Sequence, residues 1–265
     1  MIGRILRWWL ACWRQAIARD LQFRTQTVLI AVGALVDVGI SLVPALVLAQ
    51  TARTVANGWD ESAAVLVVGL FTLSTALLDT VIGPNLLRLD SAVRTGEVDL
   101  FADPSGPGAA GAHARWVRPA EATRVLVGIA LVAVALVSAD EVPTPLGIVT
   151  CLAMMVLGVA AWALFWVNVS FLSFWWASAE PVQDVVAGPR EAGQYPRAAF
   201  RRLPPRGFTT LVPALLLLAT LPAQLLLGDA PAGPLLGGAA VVLAGGVITA
   251  VHWQVALRRY DSASS

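Results

Sequence analysis

Six stretches of this chain, roughly 27–50, 61–84, 120–139, 146–178, 207–228 and 234–257, are apolar over the length of a membrane crossing. A hydrocarbon core about 30 Å thick is spanned by about 20 apolar residues in a helix. Apolar residues make up 57% of the chain and charged ones 13%, whereas a soluble domain carries roughly a quarter charged residues. There is too little polar surface here to coat a water-soluble globule, so the sequence predicts an all-α integral membrane protein with six transmembrane helices. The fourth stretch exceeds one span and is expected to run on into the interface, where Trp175 and Trp176 suit the headgroup belt. The fifth contains Pro213 and Pro222. Proline removes a backbone donor and breaks or bends a helix, which predicts a span to about Leu221 followed by a short re-entrant piece ending near Gly228.

Arginine supplies all 18 basic residues and there is no lysine. That excludes a Walker A phosphate loop, a Schiff base and a kinase-type ion pair, each of which requires a lysine. The arginines also orient the chain, because cytoplasmic loops hold the excess of positive charge. With the N-terminus inside, the first 24 residues, the 85–119 loop, the 179–206 loop and the tail after 257 are all cytoplasmic, and every arginine but Arg53 lies in them or, like Arg124, at the inner end of a span. The opposite loops are short and carry Asp60, Glu61, Asp140, Glu141 and Asp229. Both termini are therefore expected in the cytoplasm, in a multi-pass membrane protein. Net charge, only +1, gives no indication of nucleic acid.

Two soluble elements accompany the spans. In residues 1–24, Ile2, Leu6, Trp9, Trp13 and Ile17 share one helical face, while Arg4, Arg7 and Arg14 fall roughly opposite. This pattern predicts an amphipathic helix lying in the inner interface. A signal peptide needs an uninterrupted apolar centre, and Arg7, Arg14 and Arg19 interrupt any such run. Residues 25–265 then form a single transmembrane domain. Within it, the loop 85–119 offers a short charged helix with Arg88, Asp90, Arg94, Glu97 and Asp99, followed by the turn-forming Asp103-Pro-Ser-Gly-Pro-Gly-Ala-Ala-Gly.

Ionisable residues inside a membrane are costly and are functional candidates by default. Asp37 lies near the centre of the first stretch. It either faces a substrate path or partner helix, or is satisfied locally, for example by Ser41. Asp79, near the inner end of the second stretch and close to Pro84, reads as an interfacial carboxylate. Asn168, Ser170 and Ser173 are placed to hydrogen-bond across helices, and Asn168 is a candidate for a pathway or helix contact. The lone His252 reads as a packing residue, with no second ligand at metal spacing. Cys12 and Cys151 lack any zinc or disulfide spacing. Glycines 237, 238, 245 and 246 lie in an apolar span and allow close helix approach. No G-x-S-x-G, H-E-x-x-H or paired His/Asp constellation is present, so a catalytic role and a metal are not expected.

Val93-Arg-Thr-Gly-Glu-Val-Asp-Leu-Phe-Ala-Asp-Pro104 resembles the Arg-x-Gly-x-x-Asp, hydrophobic, Pro pattern after the second span of bacterial ABC-2-type permeases, specifically the six-span subfamily without a nucleotide-binding domain. Tyr195-Pro196, Pro213-Ala214, Leu221-Pro-Ala223 and the closing Leu257-Arg-Arg-Tyr-Asp-Ser262 agree with that subfamily in order. The resemblance implies a non-catalytic permease subunit of an ATP-driven exporter. Its partners would be a separate ABC ATPase dimer carrying ATP and magnesium, a second permease subunit (a related chain or a second copy) and membrane lipid. Arg94, Gly96, Glu97 and Asp99 would be the ATPase-coupling segment, and the break in the fifth span would be a re-entrant closure of the outer side. The apolar lining favours a lipid-like or amphipathic compound. A secondary transporter working through Asp37 and Asp79, or a non-transporting membrane scaffold, is the alternative.

Overall fold

A computed structural model of the chain describes residues 10–11, 13–18, 22, 24–52, 61–88, 116–139, 142–175, 190, 193, 217–228 and 233–259. Regular structure among them is entirely helical. We number the helices α1 (Arg24–Ala52), α2 (Glu61–Leu77), α3 (Ala122–Ser138), α4 (Pro145–Ser170), α5 (Thr220–Leu227) and α6 (Gly233–Arg259). Past Leu77, α2 passes through a π turn, Leu78–Ile82, and continues as α-helix over 83–88. Five helical stretches are long and apolar enough to cross a bilayer: Val28–Val47, Glu61–Arg88, Pro119–Ser138, Pro145–Phe174 and Gly233–Arg258. The expected crossing at 207–228 is described only from Leu217 onward, and residues 207–216 lie outside the described residues.

The first crossing continues helical through Pro44. The second runs past its expected end at 84, through Pro84, to Arg88. The fourth begins where Thr144, in extended conformation, accepts a 3.0 Å hydrogen bond from Gly147 N with Pro145 at the first helical position. Such a start satisfies one of the orphan donors of the helix and uses proline where its missing N–H costs nothing. That crossing ends in a 3-10 turn, Phe171–Phe174. Residues 176–178 of its expected length lie outside the described residues.

The bundle is arranged around α2. In the most apolar window of that crossing 67% of residues are buried, against 6% for α6. The main core joins Leu66, Val67, Leu70 and Phe71 of α2 to Ala135 of α3, Met155 and Trp162 of α4, and Leu218 and Ala223 beside and within α5. The outer faces of α1, α3 and α6 instead expose Leu, Val and Ile, among them Leu29, Leu126 and Leu243. Hydrocarbon is as apolar as these side chains, so close packing rather than their burial holds such helices together. Small residues provide the approach. A Cβ on Gly69 of α2 would lie 3.0 Å from the Val132 backbone N of α3, and one on Gly128 of α3 would lie 2.7 Å from Leu73.

The break before α5 is built into this packing. Pro222 has no N–H to give Leu218 O, its partner four residues back. The helix accordingly interrupts at Ala219 (φ −144°, ψ −51°) and restarts at Thr220. Ser74 of α2 donates its hydroxyl to Leu218 O at 2.7 Å. The other buried hydroxyls of α2 bond within the helix, Thr72 to Val68 O and Thr75 to Phe71 O, so Ser74 is the one aimed across. On the other side, Leu217 lies so close to α4 that a Cβ on Gly158 would sit 2.3 Å from its carbonyl oxygen. The segment ends at Gly228, whose φ of 80° is the left-handed cap that glycine adopts without penalty.

These contacts predict a contrast between two glycines. Gly158→Ala forces a backbone-to-side-chain clash and is expected to cost about 3 kcal/mol, the upper end of overpacking, whereas Gly237→Ala meets open space and should raise stability by about 0.5–1 kcal/mol, the helix penalty of glycine. Thermal unfolding of the two variants in detergent micelles measures the difference. Ser74→Ala orphans the buried carbonyl and should cost about 1–3 kcal/mol in the same assay.

Candidate functional site

The polar groups of the arginine-bearing end converge on the π turn of α2. Asp79 lies about 27 Å along the helix axis from Glu61 at the opposite end, at 1.5 Å per residue, so it sits at the edge of the hydrocarbon. A π turn widens the helix by one residue and is a frequent feature of functional sites. Both carboxylate oxygens of Asp79 accept from Arg190, Nη1 to Oδ1 at 2.7 Å and Nη2 to Oδ2 at 2.6 Å. This parallel two-bond fork is the strong form of an arginine–carboxylate pair. Arg124, at the start of α3, donates to Asp79 Oδ2 at 3.4 Å and lies 4.0 Å from both Glu121 and Asp37. The side chains of Asp79, Glu121, Arg124 and Arg190 are 16–19% exposed, Asp37 61%. Within this group Arg190 holds Asp79 by short bonds and Arg124 bridges the three carboxylates at longer range.

A second device lies beside the first. Pro84 cannot donate to Thr80 O, and the Arg118 backbone N–H supplies that bond at 3.0 Å. Asn85, 4% exposed, donates to Val81 O at 2.6 Å and to Trp116 O at 2.7 Å, and accepts from Trp116 N at 2.7 Å. The Arg88 guanidinium lies over the Trp116 ring, 3.8 Å from its centroid, a stacked cation–π contact. Residues 85–88, at the end of the second crossing, are thus fastened to residues 116–118, at the entrance to the third. The loop 89–115 leaves and re-enters through one pinned root. Behind the π turn, Trp166 of α4 packs so closely that a Cβ on Gly83 would come within 3.0 Å of its ring, and Arg190 lies 5.9 Å from the same ring centroid.

The other anticipated residues fall as follows. Asp37 is level with this cluster and has Arg124 as its ion partner. Asn168 makes a helix-to-helix contact, donating to Leu164 O of its own helix at 2.8 Å and to Thr249 Oγ1 of α6 at 2.6 Å, with Oδ1 3.0 Å from His252 Nδ1. In the N-terminal segment, Trp13 is half-buried and Arg14 exposed, both in helical conformation. Arg4, Arg7 and Trp9, together with Arg94, Gly96, Glu97 and Asp99, lie outside the described residues.

Sequence reasoning did not place Arg190, Glu121 or Asn85 in a site. Arg190 is 111 positions from Asp79 and is separated from it by two crossings, so no local pattern connects them. For Asn85 a signal exists: an amide directly after Pro84, where a helix needs substitute hydrogen bonds.

A family model described as "ABC-2 family transporter protein" matches residues 35–264. No curated protein and no solved structure matches the chain.

Removing one partner of a partly buried, hydrogen-bonded ion pair leaves the other poorly compensated. Asp79→Asn and Arg190→Gln are each expected to destabilise the protein by about 3 kcal/mol. The double variant should cost about 4 kcal/mol instead of the additive sum of about 6, a coupling energy of about 2 kcal/mol in a double-mutant cycle, measured by thermal unfolding in detergent.

Proposed function

Because the chain belongs to the ABC-2 family of transporter proteins, matching its model over residues 35–264, we propose that it is the membrane permease subunit of an exporter driven by a separate ATPase dimer. It crosses the bacterial plasma membrane with both termini in the cytoplasm, the side to which nearly all its arginines belong. ATP and magnesium bind the partner ATPase, and a second permease subunit completes the pathway. The observation that carries this reading is the pinned root of the loop 89–115, where the Asn85 side chain holds the Trp116 backbone by two short hydrogen bonds, one donated and one accepted.

Because residues 85–88 and 116–118 are fastened to each other, a push on the loop 89–115 reaches both of its ends at once. Displacement of its charged segment, Arg94, Gly96, Glu97 and Asp99, is transmitted to the inner ends of the second and third crossings together. Those ends also carry Asp79, Glu121 and Arg124, so the same displacement acts on the fork to Arg190. A charge cluster that is only partly buried is suited to exchange partners, because its alternatives are arginines and interfacial water at similar cost. The cargo is a lipid-like or amphipathic compound: the apolar stretches are built mainly from Leu, Val, Ala, Phe and Trp, which give a strongly charged molecule nothing to bind. The break at Ala219, held by Ser74 and Gly158, fits a short closing element on the outer side, with the piece up to Gly228 re-entrant.

Co-expression with the ATPase encoded beside it tests the proposal. The permease should co-purify with that ATPase and change its ATP turnover in proteoliposomes; an ATPase that neither binds nor responds overturns it. Replacing Glu97 and Asp99 together by alanine should leave membrane insertion intact and abolish the effect on turnover.

A further inference from the structure

Beyond the loop root, one more polar network lies at the arginine-bearing end, and it borders an open groove of about 410 Å³ walled by Trp175 at the end of the fourth crossing and by Val247, Ile248, Val251, His252 and Val255 of α6. Val247, Val251 and Val255 are 66%, 57% and 44% exposed. They follow one another at four-residue spacing and so form a continuous apolar stripe. Arg258, three residues beyond Val255 and seven beyond Val251, continues that stripe and is exposed. His252 lies about 28 Å along α6 from Gly233, at 1.5 Å per residue, which is the depth where hydrocarbon gives way to headgroups. Trp175, its ring 5.5 Å from that of His252, is the aromatic type favoured at that depth.

Hydrogen bonding fixes what His252 offers. The Asn168 amide nitrogen is committed to Leu164 O and to Thr249 Oγ1, and Thr249 spends its own proton on Gly245 O. The Asn168 oxygen therefore faces His252 Nδ1, so Nδ1 carries the hydrogen and donates it across 3.0 Å. In the neutral ring this leaves Nε2 as an acceptor, and among the described residues nothing donates to it. The groove thus combines an apolar trough, a hydrogen-bond acceptor at headgroup depth and a fixed cation just beyond.

We propose that this groove holds a phospholipid of the arginine-side leaflet with an anionic, hydroxyl-bearing headgroup. An acyl chain lies along the valine stripe, the phosphate meets Arg258, and a headgroup hydroxyl donates to His252 Nε2. A second copy of the chain is a poor occupant, because a two-fold interface pairs a patch with itself and would set Arg258 against Arg258. The lipid site requires neither an ATPase nor transport, so its fate is separate from that of the exporter reading.

Native mass spectrometry of the full chain in detergent, with phosphatidylglycerol and phosphatidylcholine of matched acyl chains, tests it. The protein should retain phosphatidylglycerol in preference to phosphatidylcholine. Arg258→Gln should weaken that retention about fivefold, the effect of one basic side chain at an anionic surface. His252→Phe should narrow the preference between the two lipids. Val251→Trp, which fills the trough, should abolish retention, and Val247→Trp one turn away repeats the test if the first variant fails to fold. Equal retention of the two lipids by the native chain overturns the proposal. So does full retention by the trough-filled variants, which would reduce the interaction to surface charge.

Discussion

Proline in a membrane helix orphans a carbonyl that hydrocarbon cannot hydrate, and the architecture here depends on how two such carbonyls are satisfied. Pro222 releases Leu218 O, and Ser74 reaches across from α2 to bond it. Pro84 releases Thr80 O, and the backbone of Arg118 bonds it from the entrance to the third crossing. An unpaired carbonyl in lipid costs several kcal/mol, so each bond obliges two segments distant in sequence to stay together. The first joins the broken fifth segment to the central helix, and Gly158 makes the approach possible from the other side. The second closes the root of the loop 89–115. Helix breaks that would weaken a soluble domain serve here as attachment points.

The charged cluster grows out of the second attachment. The π turn at Leu78–Ile82 turns Asp79 toward Arg190 and Arg124 while Asn85, one turn on, grips Trp116. Backbone and charge then act on the same few residues. In the coupling proposed above, a force entering through the loop 89–115 would meet the Asn85–Trp116 joint first and the Asp79–Arg190 ion pair second. The arginine character of the cations contributes: a guanidinium forms two parallel bonds to Asp79 and is more weakly hydrated than an ammonium, so it tolerates a site at the edge of the hydrocarbon.

Much of the fold is legible in the sequence because membrane crossing is a local requirement. Length and hydropathy alone locate the five crossings Val28–Val47, Glu61–Arg88, Pro119–Ser138, Pro145–Phe174 and Gly233–Arg258 to within a few residues, and Pro222 announces the break near Ala219. The extension past Pro84 is not legible, since it depends on a donor from Arg118, 38 positions along the chain from Thr80, and no local pattern pairs the two. Pairings between crossings are equally hidden. Asn168 is recognisable as a residue that bonds across helices, yet nothing local names Thr249 and His252 as its partners. Asp37 occupies the middle of its apolar stretch in sequence, while the structure sets it beside Arg124 of another helix, a pairing that no local pattern announces. Arg190 carried no signal at all; its role is a property of the assembled bundle.

The central claim is that the loop root and the Asp79–Arg190 fork form the joint through which ATP binding in a partner reaches the crossings. Pulsed electron paramagnetic resonance between spin labels at Leu87 and Glu191, in the complex with its ATPase and with native cysteines replaced, addresses it directly. The account predicts a distance distribution that shifts when ATP is bound and returns after hydrolysis. A distribution identical in the nucleotide-free, ATP-bound and post-hydrolysis complexes would contradict it.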